Sequence, residues 1–350
     1  MAIIDDPSAY FQTKIYTGNG SARALTFDGN SDLQPDWVWI KKRAGGSASG
    51  HVVTDVVRGV NKQLFTNEVE AEESYTSVLT AFGSDGFSIS TAGLCNTNTN
   101  TYVAWCWKAG TSFSNDASST SIGSIDSTGS FNNDSGFSIV SYTGTATAGT
   151  IKHGLNIVPR LVITRPRTQE DGWYVYWHGN GATKYQRMET NAGLGAGAAF
   201  FNDTAPTSSV FSVGDGSGTN HASAYIAYCF ANSPTQKISK YFGNGNASGP
   251  FCFTGFKPAW IMLKRADGSN SWCIFDSKRL GFNQSNPRLY ANNTNASEGA
   301  SDEAYIDILS NGFKLRGTQP DINNSTSVYN YLAVAENPFV TSTGVPATAR

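Results

Sequence analysis

The chain is poor in charge. Only 15% of its residues are Asp, Glu, Lys or Arg, against about a quarter in an average soluble protein. The formal net charge is −2, and the longest basic cluster is Lys41-Lys42-Arg43. A nucleic-acid-binding chain needs a basic excess or stripe, so that class is excluded. No run approaches the roughly twenty apolar residues of a membrane-spanning helix, so no membrane insertion is expected. The start, Met1 to Pro7, has neither a basic region nor an apolar one, and no signal peptide is expected. The five cysteines form no C-x-x-C pair, which removes the usual zinc and thiol-redox signatures. They read as small buried hydrophobes. Amphipathic helical periodicity is also scarce. One short helix at most is expected, over Glu68 to Leu79.

What is present is Asn, Ser, Thr and Gly, with 8 Trp, 15 Tyr and 20 Phe. Short aromatic and β-branched runs cut by Gly, Asn and Pro are strands joined by turns. The aromatics suffice for each hundred-residue segment to close its own interior.

The order of landmarks repeats three times. Each copy opens on a tyrosine two residues before a glycine: Tyr16–Gly18, Tyr142–Gly144 and Tyr241–Gly243. A proline follows 17 to 19 residues after that tyrosine, at Pro35, Pro159 and Pro258. An apolar strand comes next and ends in basic residues, then a second strand begins at His51, Trp173 and Trp272. A strand with phenylalanine follows: Gly86-Phe87, Val210-Phe211 and Gly312-Phe313. Each copy ends in a strand apolar on both faces, starting at Tyr102, Tyr225 and Tyr331, which lie 67, 66 and 73 residues after the proline. Two-sided apolarity places such a strand at the centre of a sheet covered on both sides.

The expected fold is all-β: three tandem β-sandwich modules of about a hundred residues, of jelly-roll or lectin-like kind. The expected boundaries are 1–110 for copy one with a short N-terminal arm, 136–235 for copy two, 236–340 for copy three and 341–350 for a tail. Residues 111–135, rich in Ser, Asn and Gly, read as a linker or exposed loop. Copies two and three meet near Ser233-Pro234-Thr235 with little freedom.

Several constellations could carry chemistry. Asp55 and Arg58, repeated as Asp276 and Arg279, read as a turn or ion pair fixing each module; a carboxylate held at a binding site is the alternative. Copy two has Trp177 in the aspartate's place. There, Trp173, Tyr174, Tyr176 and Trp177 alternate, so one face offers an aromatic platform for sugar rings unless both faces are buried. Asp28, Asn30 and Asp32 space oxygen ligands as calcium loops do, but Leu33 and Trp39 stand where the glycine and bidentate acid belong, so a plain turn is preferred. The four histidines have no metal-ligand spacing, and His51 reads as a packed strand residue. A glycosidase would need two carboxylates facing one groove, and no acidic pair stands out in the sequence beyond those already named. No cofactor is implied and no enzyme is expected.

The motifs Tyr16-Thr17-Gly18-Asn19-Gly20, Gly255-Phe256-Lys257-Pro258 with Trp260 to Arg265, Tyr102 to Gly110, and Gly136 to Tyr142 resemble repeat-containing virion proteins of tailed, mainly marine, bacteriophages. So does the opening Asp5 to Thr13. The resemblance implies a non-enzymatic virion protein, made in the host cytoplasm and exposed on the particle. It would be a tail-associated fibre, tip or appendage subunit with a role in host-surface attachment. A capsid decoration or head-fibre protein is the alternative, and a polysaccharide-degrading tailspike a further one. The implied partners are other virion proteins, further copies of the chain in a homo-oligomer such as a trimer, and a host-surface glycan. Copy one begins close to Met1, so attachment is expected through a module face or the terminal arm.

Overall fold

A computed structural model describes residues 3–45, 49–279, 282–283, 287–296 and 305–349. The protein is all-β, and each of the five α-helices among these residues is a single four-residue turn. Three large antiparallel sheets share one strand order. An opening strand lies at one side, then the closing strand, the strand that follows the proline, a return strand and a short fourth strand.

In the first repeat these are Phe11–Thr17, Thr101–Trp107, Trp37–Ala44, His51–Asp55 and Lys62–Phe65. In the second they are Phe137–Thr143, Ala224–Ala231, Pro159–Pro166, Tyr174–Trp177 and Lys184–Arg187. In the third they are Gln236–Phe242, Val328–Pro338, Phe256–Arg265, Cys273–Asp276 and Leu289–Tyr290. A small sheet built on the Gly-Phe strand (Gly86–Ile89, Val210–Val213 or Gly312–Leu315) covers one face of each large sheet.

The two-sided apolarity of the closing strands follows from this arrangement. Along Thr101–Trp107, Tyr102, Ala104 and Cys106 enter the first repeat's own sandwich. Val103, Trp105 and Trp107 point the other way, into a central cluster shared by all three repeats. Ala224–Ala231 alternates identically, with Ile226, Tyr228 and Phe230 in the centre. The period of two in a strand sends alternate residues to opposite faces, so a strand covered on both sides must be apolar at every position.

All eight tryptophans of the chain lie in the central cluster. This corrects the expectation that each repeat closes its own interior: tyrosine and phenylalanine fill the separate sandwiches, while tryptophan joins the three. Burying an aromatic of that size removes roughly 150–250 Å² from water, worth about 4–6 kcal/mol at ~25 cal/mol per Å². Eight such residues outweigh the side-chain hydrogen bonds that cross between repeats, at about 1 kcal/mol each. The repeats are therefore joined chiefly by apolar burial.

Three further expectations are corrected. Residues 111–135 are not a linker. Thr111–Asn115 and Ser127–Asn132 pair with each other and extend the second repeat's large sheet beyond its opening strand. Main-chain hydrogen bonding builds these strands with few large side chains, which is why composition concealed them. No helix forms over Glu68 to Leu79; that segment holds the short strand Glu73–Ser74 and the start of Leu79–Gly83. The closing landmark of the third repeat is Tyr329 rather than Tyr331, because Tyr329 pairs with Tyr241 as Tyr102 pairs with Tyr16 and Tyr225 with Tyr142. Tyr331 takes the place of Ala104 and Ala227. Both tyrosines face the same sandwich, so alternation alone could not separate them.

The prolines hold one equivalent position at the sheet entry, two residues before Trp37, Leu161 and Trp260, and differ only in where the strand begins around them. Pro159 opens its strand, Pro258 lies at a register shift inside Phe256–Arg265, and Pro35 precedes Trp37 by two residues. Residues after Pro338 fold back in a turn, with Val340 bridged to Pro346. The Asp5 carboxylate accepts from the Ser342 amide at 2.6 Å.

Candidate functional site

The recurring polar residues converge on the boundaries between repeats. At the end of the return strand, Asp55 accepts from the amides of Val57 and Arg58 through Oδ1 and from the Arg58 guanidinium at 2.5 Å through Oδ2. Asp276 does the same with Lys278 and Arg279, at 2.6 Å to the guanidinium. Each arginine also donates to the carbonyl two residues before its aspartate, Val53 at 3.0 Å and Ile274 at 2.9 Å. Both ion pairs are fully buried. Burial alone would lower the affinity of the Arg58 guanidinium for its proton, but the Asp55 carboxylate, with Tyr228 and Glu72, raises it above the ordinary arginine value.

Each pair is completed by a neighbour. Tyr228 of the second repeat donates its hydroxyl to Asp55 of the first at 2.7 Å. Trp105 of the first donates its indole N–H to Asp276 of the third at 3.0 Å. Trp105, Tyr228 and Leu332 occupy one equivalent position of the closing strand, and Asp55, Trp177 and Asp276 one equivalent position of the return strand. The cyclic order therefore assigns Leu332 to Trp177. Leucine has no hydrogen to donate, and the position that would hold an unpaired buried carboxylate holds an indole instead.

A second set of ties runs around the same circle at the start of the return strands. The indole of Trp173 donates to the Phe65 carbonyl of the first repeat at 2.8 Å, and that of Trp272 to the Arg187 carbonyl of the second at 3.2 Å. The equivalent residue of the first repeat is His51, beside the Tyr290 backbone of the third. Its Nδ1 accepts the Trp39 indole N–H at 2.9 Å, which leaves Nε2 as the protonated nitrogen. Burial pushes the His51 pKa well below the ordinary value, and the neighbouring Lys41 charge adds to this.

The basic residue that ends each proline strand makes a third set. Lys41 donates to the Thr294 carbonyl at 2.9 Å, Lys264 to the Asn191 carbonyl at 2.9 Å, and Arg165 to the Glu70 carbonyl, each in an adjoining repeat. Burial lowers both Lys41 and Lys264 to about 8.

The sequence reading missed one recurring residue. Asn96, Asn220 and Asn323 end the four-residue helical turn before each closing strand and are fully buried. Each side chain accepts an amide N–H from the residue after the glycine that follows the opening strand, Asn19, Thr145 and Asn244, at 3.0, 2.8 and 2.9 Å. Each also donates to two loop carbonyls, for example Asn220 to Thr147 and Gly214 at 2.6 and 2.7 Å. Its near-constant distance before the closing tyrosine was the available signal. Beside it, a Cβ on Gly18, Gly144 or Gly243 would lie 2.1, 2.0 or 2.2 Å from a backbone carbonyl oxygen.

The aromatic platform is overturned. Trp173, Tyr174, Tyr176 and Trp177 are all buried, at 6% exposure or less. Trp173 and Trp177 face the central cluster, and Tyr174 and Tyr176 the second repeat's sandwich. A strand covered on both sides leaves no face for a ligand. In the Asp28–Asp32 loop, Asp28 pairs with Lys278 of the third repeat at 3.2 Å, and Gln12 holds the turn by bonding the Gly29 amide and the Ser31 carbonyl. Asn30 and Asp32 are exposed. Among the described residues no group of three or more His, Cys, Asp or Glu is placed to hold a metal. All five cysteines are buried. No helix among the described residues is long and apolar enough to cross a membrane.

A family model described as "Domain of unknown function (DUF7483)" matches residues 6–338, and the chain belongs to that family. No curated protein matches it. The match spans all three repeats, so the family unit is the whole three-sheet body rather than one sandwich.

Proposed function

We propose that this chain is a non-enzymatic structural protein of a tailed-bacteriophage virion: a tail-associated fibre, tip or appendage subunit that contributes to host-surface attachment. One observation carries the reading. Across the repeat boundaries Tyr228 bonds Asp55 and Trp105 bonds Asp276, Trp173 and Trp272 bond main-chain carbonyls, and Lys41 and Lys264 do the same, all around a single apolar centre. Carboxylates committed to buried guanidinium, indole and phenol partners are not open to a substrate; their arrangement serves rigidity and a fixed outline. The motif resemblance along Tyr16 to Gly20, Gly255 to Arg265 and Tyr102 to Gly110 supplies the particle context.

A capsid decoration role is the second reading. It is favoured by the contact of Asp5 with Ser342, which sets these residues side by side rather than at the two ends of an extended subunit. Cryo-electron microscopy of purified particles, with antibody labelling of the chain, tests both. Density on the tail is expected; density on the head selects decoration, and absence from purified particles overturns the virion assignment. A host glycan incubated with the protein is expected to release no reducing sugar. Turnover abolished by loss of one carboxylate would revive the tailspike alternative.

A further inference from the structure

The second repeat departs from its siblings by the two added strands Thr111–Asn115 and Ser127–Asn132. In the first and third repeats the large sheet ends at the opening strand. The addition contributes little to any core: its two large aromatics, Phe113 and Phe131, are only half-buried. An element that the fold does not require, placed at the edge of a rigid scaffold, is where binding is commonly added.

The added strands and the end of the opening strand enclose a groove of about 680 Å³, within the roughly 300–1,000 Å³ range of ligand clefts. Register aligns Ser114 with Thr128 and Thr128 with Ser141, so three hydroxyls form one rung on one face. Asp116, Asp126 and Thr143 extend the lining. Both oxygens of Asp116 accept from Ser118 and Ser119, which holds its carboxyl below its ordinary pKa, so Asp116 contributes negative charge to the groove and the free hydroxyls of Ser114, Thr128 and Thr143 supply the bonds. Among the described residues no Lys, Arg or His lines the groove.

We propose that this groove binds a neutral oligosaccharide. A serine or threonine hydroxyl both donates and accepts, and an ionised carboxylate only accepts. A sugar hydroxyl can satisfy either partner. Arg167 reaches Ser141 Oγ at 3.5 Å but is held by both oxygens of Glu72, so an anionic ligand would meet two acidic side chains and no unpaired cation, and is disfavoured. The inference rests on the attachment reading for its biological sense and names the class of ligand that attachment would use.

The full chain is titrated with maltotriose, cellotriose, mannotriose and chitotriose by calorimetry and saturation-transfer NMR, with trigalacturonate as the charged counterpart. At least one neutral trisaccharide is expected to bind with a dissociation constant on the order of 1 mM or tighter, and trigalacturonate more weakly. The double substitution Ser114→Ala, Thr128→Val is expected to weaken binding by about fivefold or more, the equivalent of one hydrogen bond or more. Both positions are exposed, and an unchanged thermal midpoint verifies the fold; Thr143→Val at the groove's other rung gives an independent variant. Absence of binding by every neutral trisaccharide, or binding unchanged in both variants, overturns the site. Particle location is read separately, so failure here is distinguishable from failure of the virion assignment.

Discussion

The hydroxyl of Tyr228 donates a 2.7 Å hydrogen bond to the carboxylate of Asp55, from one repeat to the next. Because Asp55 is already paired with the buried Arg58, which also meets Glu72 at 3.2 Å, the phenol completes a four-membered polar cluster at the repeat boundary.

Removing one member should be costly. Tyr228→Phe deletes a hydrogen bond to a charged group and is expected to destabilise by about 1.5–3 kcal/mol. Asp55→Ala removes the nearer of the two carboxylates on the buried Arg58 guanidinium and leaves only Glu72 at 3.2 Å, at about 3–5 kcal/mol. In a double-mutant cycle the two losses should be non-additive. Urea unfolding of the four proteins measures both.

The Leu332–Trp177 correspondence gives a converse test. Trp177→Asp restores the residue found in the other two repeats but supplies no donor at Leu332. It is expected to destabilise by several kcal/mol, and adding Leu332→Tyr should recover part of the loss. Thermal unfolding of the single and double variants reads the recovery.

The buried asparagine should behave alike in all three repeats. Asn220→Ala strands the Thr145 amide and the Thr147 and Gly214 carbonyls, with about 1–3 kcal/mol for each group left unsatisfied. Asn96→Ala and Asn323→Ala are expected to cost similar amounts by chemical denaturation.

Acid should loosen the fold through histidine. Burial lowers His153 to about 4, and its Nδ1 accepts the Leu155 amide at 3.2 Å. The folded state therefore binds fewer protons than the unfolded chain below pH 6.5. Stability is whole above that value and declines as pH falls toward 4, by about 3 kcal/mol for His153. His51, also depressed, adds to the same slope in the same direction. His153→Gln is expected to flatten the profile of unfolding free energy between pH 6.5 and 4.

Much of the fold was legible because strand alternation and turn residues are local signals. Tyr16, Tyr142 and Tyr241, the three prolines and the two-sided closing strands mark equivalent places in the three sheets. What the sequence could not convey was the identity of the second covering layer. Trp173 and Trp177 alternate with Tyr174 and Tyr176 whether one face meets solvent or a sister repeat, so a binding platform and a buried boundary read alike. The added hairpin was hidden for the opposite reason: Thr111 to Asn132 is held by main-chain pairing, which composition does not report. The site was legible only in part. The Asp55–Arg58 spacing pointed to an ion pair, but Tyr228 and Trp105, far away in sequence, gave no sign of completing it.

The central claim is that the three repeats fold as one body around a shared tryptophan centre. Differential scanning calorimetry of the whole chain tests it most directly. One transition with matching calorimetric and van't Hoff enthalpies is expected. Three resolved transitions, each surviving substitution of Trp105 or Trp260 by alanine in its neighbours, would contradict it.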